Sequence, residues 1–245
     1  MNQDENEFKC VAISDLHIGS MLENTKALDL IYNYCIVNNI NIVINTGDLI
    51  NGSFGCRNQI DDLNKQMKYF FKVYPFDKNI LTFTCLGDHD ISPLNELGID
   101  FKKVISDKRN DIVVVGYEEG KIKLKDDYIL LRHPINNPNP INPSSALVLK
   151  GHTHKMRIST GYSYLVNVPN LCNNFLNSDG LPSALKITLK FNRNYFSAGN
   201  FEHLIVQDKV YPISSVNMDL NGTKREFDNN PKNKQLKKIQ EKYVY

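Results

Sequence analysis

The chain has 245 residues, of which 41% are hydrophobic, 23% charged and 10% aromatic; this is soluble globular usage, and it excludes a disordered or fibrous protein. That length gives one domain with trimmings rather than two large domains. Lys and Arg number 29 against 27 Asp and Glu, a net charge of +2, so no global field argues for nucleic acid or a membrane.

Short apolar runs at 8–13, 40–44 and 80–86 read as buried strands. Between them, 23–37 and 58–73 carry apolar residues at helical spacing, for example Leu28, Ile31, Tyr32 and Cys35, or Leu63, Met67, Phe70 and Phe71. This β-α-β-α-β order predicts an α/β fold with a mostly parallel sheet covered by helices. From Asp111 onward strand follows strand: 112–115, 122–124, 128–131, 146–149, 156–159, 164–168, 185–191 and 201–206. With turns at Glu119-Gly120, Thr160-Gly161 and Asn192-Arg193-Asn194, this half reads as mainly antiparallel. Residues 134–145 hold Pro134, Pro138, Pro140 and Pro143, which rules out helix or central strand and predicts an exposed loop framing a site. Beyond Ser215 strand character fades. Residues 221–245 carry seven basic residues and three acidic, a local +4 that leaves −2 for the rest, and read as a solvated tail able to touch a polyanion.

The five cysteines are odd in number, spread out and without a C-x-x-C pair, which predicts a reducing compartment. The start is acidic and polar where a secretory signal needs a basic and then an apolar region, and no apolar run approaches a membrane span. A cytoplasmic protein without a membrane partner is expected.

The ends of the strands carry the chemistry, as the carboxyl ends of open α/β sheets do. They read Ser14-Asp15-Leu16-His17, Asn45-Thr46-Gly47-Asp48, Leu86-Gly87-Asp88-His89-Asp90, Arg132-His133 and Lys150-Gly151-His152-Thr153-His154, which takes in five of the six histidines. In Asp15-x-His17 and His152-x-His154 an extended backbone would put both side chains on one side. Gly47, Gly87 and Gly151 each precede a candidate ligand and allow a sharp turn or close approach. Mixed carboxylate and imidazole donors suit Mn²⁺, Fe²⁺ or Zn²⁺ better than Ca²⁺ or Mg²⁺. Alternation sends Arg132 and Arg157 away from His133 and His154, toward solvent. Asp90 reads as a partner of its turn, and His203 as a plain strand residue.

In this order the blocks resemble the calcineurin-like metallophosphoesterases, whose set is Asp-x-His, Gly-Asp, Gly-Asn-His-Asp/Glu, a lone His and Gly-His-x-His. The resemblance runs from about residue 8 to about residue 175. It implies a four-layer α/β/β/α sandwich of two mixed sheets over residues 1–215, with 216–245 as the Lys-rich tail. It also implies two divalent transition-metal ions, Mn²⁺ first. One would sit on Asp15, His17, Asp48 and His154, the other on Asp48, Asp88, His133 and His152, with Asp48 bridging. His89 would donate a proton to the leaving oxygen or steady the phosphoryl group. The implied activity is hydrolysis of a phosphate ester by metal-activated hydroxide. Nucleic acid and cyclic or small nucleotides are the competing substrates, a protein phosphatase is a third, and a non-catalytic scaffold of the same fold is the rival from another class.

Two positions depart from that family's pattern. Asp88 stands where an Asn is usual, which lowers the charge of the site and removes an amide donor, and so favours a singly charged phosphodiester. Asn51 stands where many relatives have an Asp; its side-chain oxygen would accept from His89 without supplying charge. Asn51 and Arg57, in the Gly-rich loop after Asp48, are the remaining candidates for substrate contact.

Overall fold

Cys10, Val11, Ala12 and Ile13 have no exposed surface on either side of the strand, because β1 (Glu7–Ile13) lies in the middle of a sheet covered on both faces. The computed structural model describes residues 6–53, 58–134, 147–159, 164–173 and 181–220.

The chain alternates from β1 through α1 (Thr25–Val37), β2 (Ile42–Asn45), α2 (Leu63–Val73) and β3 (Leu81–Leu86), then α3 (Ser92–Leu97) and α4 (Phe101–Lys108), to β4 (Ile112–Tyr117). These four strands pair in parallel in that order. Two helices start later than their apolar patterns suggest, each at a side-chain cap: Asn24 accepts from the Ala27 N–H at 2.9 Å, and Asp62 from that of Lys65 at 2.9 Å. Neither α3 nor α4 has a counterpart among the expected elements, since both are too short for a clear helical period.

Beyond β4, a turn at Glu118 in the left-handed region (φ 55°) leads to β5 (Glu119–Leu124), so Glu119-Gly120 opens a strand rather than making the turn. There follow β6 (Asp127–Arg132), β7 (Leu147–Lys150), β8 (Arg157–Ser159), β9 (Tyr164–Asn167), β10 (Ser183–Asn192), β11 (Tyr195–Val206) and β12 (Val210–Asp219). The strands form two mixed sheets, ordered β12-β11-β10-β1-β2-β3-β4 and β5-β6-β7-β9-β8. The second half is mainly antiparallel, as expected, in the pairs β1–β10, β5–β6, β8–β9, β10–β11 and β11–β12, but it also holds parallel pairs: β4 with β3, and β7 with both β6 and β9. A run of strands without helices suggests a meander, but the long segment between β6 and β7 is enough to return the chain to the same end. Strand character also runs past Ser215 to Asp219 on the edge strand β12. The turn at Thr160-Gly161, most of the proline-rich segment and the tail from 221 lie outside the described residues.

Two cores result. On the helix side, Val11, Ile13, Val43 and Val114 meet Leu28, Ile31, Tyr32, Met67, Phe70, Phe101 and Ile105. Between the sheets, Cys10, Ala12, Ile44, Cys85 and Ile187 meet Ile129, Leu131, Leu147, Leu149 and Val166. On the other face of the five-stranded sheet, Leu130 and Val148 are also 0% exposed, so that face is covered as well. Cys10, Cys35, Cys85 and Cys172 are buried free thiols; burial alone pushes Cys35 up to about 12. No helix among the described residues is long and apolar enough to cross a membrane.

The helix-side core centres on Phe70, whose ring lies 5.0 to 5.5 Å from those of Phe71, Tyr74 and Phe101. Phe70→Ala is expected to cost about 3–5 kcal/mol, read as a lower urea midpoint at unchanged m-value. A loss below about 1 kcal/mol would contradict this account of the core.

Candidate metal centre

The parallel strands β1, β2 and β3 all deliver their carboxyl ends to one edge of the large sheet, and β6 and β7 of the small sheet do the same beside them. Bonds between neighbouring loops lock the arrangement. Asp15 N–H donates to the Gly47 carbonyl at 3.0 Å, both Leu16 and His17 donate to that of Asp48, and Gly151 donates to that of Arg132.

The local backbone differs from the extended geometry expected for the D-x-H and H-x-H motifs. Asp15 (φ 53°), His17 (45°), Asp48 (58°), His152 (70°) and His154 (55°) all adopt the left-handed conformation. Non-glycine residues rarely do so, and each costs of the order of 1 kcal/mol. Alternate left-handed residues curl each loop, and this, rather than strand pleat, turns the two side chains to a common centre. Of the glycines, Gly47 does need its positive φ (108°), whereas Gly87 is required for space: a Cβ there would lie 2.2 Å from Asp48 Oδ1.

The seven expected ligands converge. Asp48, Asp88, His133 and His152 form one group whose donor atoms lie within 4.8 Å of one another, and Asp15, His17 and His154 form a second. His17, Asp48 and His89 form a third, which links the other two. Asp48 Oδ2 is 3.1 Å from His133 Nε2, 3.7 Å from His17 Nε2 and 3.9 Å from His89 Nε2. Asp88 Oδ1 is 3.2 Å from His133 Nε2 and 3.4 Å from His152 Nδ1, and Asp15 Oδ1 is 3.1 Å from His154 Nε2.

These contacts lack hydrogen-bond geometry where it matters most. Asp15 Oδ1, Asp88 Oδ1, His133 Nε2 and His17 Nδ1 are buried without a hydrogen-bond partner. The tautomer of His133 sharpens the point. Its Nδ1 lies 2.7 Å from the Thr46 carbonyl, which can only accept, so Nδ1 carries the proton and Nε2 of the neutral ring presents a lone pair to two carboxylates. Buried acceptors facing acceptors are costly alone and are reconciled by a cation. The residues therefore fit a metal pair of the kind the resemblance implies.

Without metal, the charges shift one another. Burial opposes ionisation of Asp88, but the neighbouring His133 and His152 outweigh it and hold the carboxyl well below its usual range. Burial opposes a charge on His133 too, and Asp48 overcomes it, raising that imidazole well above its ordinary value. For His17 burial prevails, and its value falls to about 4. A divalent ion here must displace the proton from His133, so affinity for metal is lost as pH falls.

The remaining candidates separate. His89 is held over the cluster by Nδ1, 2.6 Å from the backbone carbonyl of Asn51, not from the Asn51 side chain as expected. That side chain instead donates to Asn58 Oδ1. Asp90 is 0% exposed and accepts from Ile50 N–H at 3.0 Å and Gly87 N–H at 2.9 Å, fastening two ligand loops together. Arg132 is not solvated: it is 7% exposed, with Nε 3.7 Å from Glu119 Oε2, while Arg157 is exposed. Arg57 lies outside the described residues.

Three contributors escape the motif reading. The Thr46 carbonyl that orients His133 is backbone and leaves no mark in sequence. Ser14 Oγ donates to Asp15 Oδ2. Gln66 is a polar residue on the inward stripe of α2 with Leu63, Met67 and Phe70, and that misplaced polarity was a legible signal.

Comparison with known proteins agrees with this geometry. Residues 8–159 match the family model described as calcineurin-like phosphoesterase. No curated protein matches the chain significantly. Among solved structures, GAP50 of Plasmodium, described as the anchor in the inner membrane complex, superposes with a TM-score of 0.51 at 8% identity, covering 87% of this chain and 89% of that one. Yfce, a phosphoesterase from E. coli, gives 0.48 at 16% identity over 78% and 98% of the two chains. The Pseudomonas putida nuclease MPE gives 0.38 at 17% identity over 83% and 87%. At 8% identity the likeness to GAP50 is one of fold, and the family rests on the sequence match over more than half of the chain: the protein belongs to the calcineurin-like phosphoesterases.

Proposed function

We propose that this protein is a dinuclear-metal phosphoesterase that hydrolyses phosphodiesters. The observation that carries the reading is the convergence of three carboxylates and four imidazoles with buried, unpartnered donor atoms at the centre. Asp15, His17, Asp48 and His154 would hold one ion, and Asp48, Asp88, His133 and His152 the other, Mn²⁺ being the first candidate with Fe²⁺ and Zn²⁺ beside it. Bound there, a metal pair would supply a nucleophile from water at neutral pH and neutralise charge on the phosphoryl oxygens.

The chain's own groups do the rest. His89, tethered through Nδ1 to a carbonyl, presents Nε2 to the cluster, 3.9 Å from Asp48 Oδ2. In its imidazolium form, with the Nδ1 proton on the carbonyl and a second proton on Nε2, it is the proton donor: the Nε2 proton passes to the leaving oxygen and leaves the neutral ring with its proton on Nδ1. His152, with its side chain 47% exposed, leaves the cluster open on its flank for a substrate to enter.

Asp88 supports a diester. Asp15, Asp48 and Asp88 together set −3 against the +4 of two divalent ions and leave +1, whereas an amide at 88 would leave +2. An amide could also donate to a phosphate oxygen, which the carboxylate cannot. Both effects weaken the hold on a doubly charged monoester more than on a singly charged diester. Nucleic acids and cyclic or small nucleotides are the diesters to screen, with the Lys-rich tail as a further reason to include nucleic acid.

Metal-stripped protein given Mn²⁺ is expected to hydrolyse bis(p-nitrophenyl) phosphate and to be inactive without it. Loss of the proton donor is felt most when the leaving group is poor. His89→Ala should therefore lower kcat on diphenyl phosphate by roughly 10²–10⁴-fold and on the nitrophenyl ester distinctly less. Stoichiometric metal binding with no turnover of any diester would overturn the reading in favour of a scaffold. Asp88→Asn is expected to shift the ratio of diester to monoester activity toward p-nitrophenyl phosphate; an unchanged ratio would remove the charge argument.

A further inference from the structure

We propose that Gln66 is a positioning residue for His89, acting through the 51–52 peptide; the inference rests on the reading of His89 as the proton donor. Gln66 is 0% exposed, although its neighbours on the inner stripe of α2 are Leu63, Met67 and Phe70. A buried amide at such a position is retained only if its hydrogen bonds are satisfied. They are satisfied on one residue above all. Gln66 Oε1 accepts from the Gly52 N–H at 2.9 Å, and Gln66 Nε2 donates to the Gly52 carbonyl at 2.9 Å. The second Nε2 proton goes to the Ile60 carbonyl at 2.6 Å.

Binding both backbone groups of one residue is what an antiparallel strand partner does. Gln66 thus acts as a one-residue strand at Gly52, just past the point where the loop after β2 leaves its parallel bridge with Ile18. Gly52 has φ +65°, and a Cβ there would lie 2.4 Å from the His89 carbonyl oxygen, so the loop passes directly over the His89 backbone. The peptide immediately before Gly52 carries the Asn51 carbonyl that accepts from His89 Nδ1 at 2.6 Å. That carbonyl sets the tautomer and orientation of the imidazole, with Nε2 toward Asp48. Gln66 also touches the first ligand loop: a Cβ on Gly19 would lie 2.9 Å from Gln66 Cγ, and the Gly19 carbonyl accepts from Gln59 and Ile60 N–H. In many relatives of the resembled family a carboxylate at the position of Asn51 orients the histidine; here a backbone carbonyl does so, held on its N-terminal side by the Asn51 N–H to Ile18 carbonyl bond at 2.9 Å and on its C-terminal side by Gln66.

The test uses Gln66→Met, which preserves chain length and packing but has no amide. In metal-free protein labelled with ¹⁵N-histidine, assigned with His89→Ala and read at a pH where the His89 ring is neutral, wild type should show His89 with its proton on Nδ1, and Gln66→Met a mixture of the two tautomers. Reconstituted with Mn²⁺, Gln66→Met should lose roughly 10-fold to 10²-fold in kcat on diphenyl phosphate and little on bis(p-nitrophenyl) phosphate. Added to His89→Ala it should cost nothing more. Should Gln66→Met not fold, Gln66→Asn, whose amide falls one methylene short of Gly52, is expected to give the same pattern. An unchanged His89 tautomer, or an equal loss on both esters, would overturn the proposal. The tautomer is read without turnover, so a protein that hydrolyses neither ester would refute the activity while leaving the positioning claim to stand or fall on the spectrum.

Discussion

Carboxylates and imidazoles buried against one another, with acceptor facing acceptor, form the constraint on which the structure turns. His133 Nε2 and the inner oxygens of Asp15 and Asp88 have no hydrogen-bond partner, and the Thr46 carbonyl denies His133 the tautomer that would supply one. Without metal the arrangement is relieved only by a second proton on His133, held beside Asp48 and Asp88, and the buried charges that remain are still costly. Five of the candidate ligands, in left-handed conformations, add to that cost. Such strain persists only where the surroundings overdetermine the geometry.

The surroundings do so in two ways. The two cores bury most of β1, β2, β3, β6 and β7, and their carboxyl ends then have fixed places. Between those ends the loops are joined by buried groups outside the expected ligand set: Asp90 ties the loop after β2 to the loop after β3, and Gln66 ties α2 to Gly52. The ligand cluster and its bracing are therefore separate sets of residues, and damage to one differs in kind from damage to the other.

Much of this was legible in the sequence, for physical reasons. The first half announces itself because buried parallel strands are short apolar runs and amphipathic helices keep a 3.6-residue period, as in Leu28, Ile31, Tyr32 and Cys35. The expected ligands could be named because the chemistry sits at strand ends and its residue types are few. What the sequence hid is relational. Short strands without intervening helices do not reveal whether β6 and β7 run together or opposed, and α3 and α4 are too short to show a period. The left-handed turns at Asp15 and His17 carry no glycine to signal them, and a backbone carbonyl such as those of Thr46 or Asn51 is the same in every residue. Asn51 illustrates the limit: the residue does lie against His89, but the oxygen that binds it belongs to the main chain and not to the side chain the sequence displays.

The central claim is that one carboxylate, Asp48, lies between two metal ions. Electron paramagnetic resonance of Mn²⁺ titrated into the stripped protein tests it most directly. Two ions about 3.5–4 Å apart across a bridging ligand are magnetically coupled. The account predicts that the spectrum of isolated Mn²⁺ gives way to that of a coupled pair as the second equivalent binds, and that Asp48→Ala abolishes the coupling. Saturation at one ion per chain, or two ions that remain uncoupled, would contradict it.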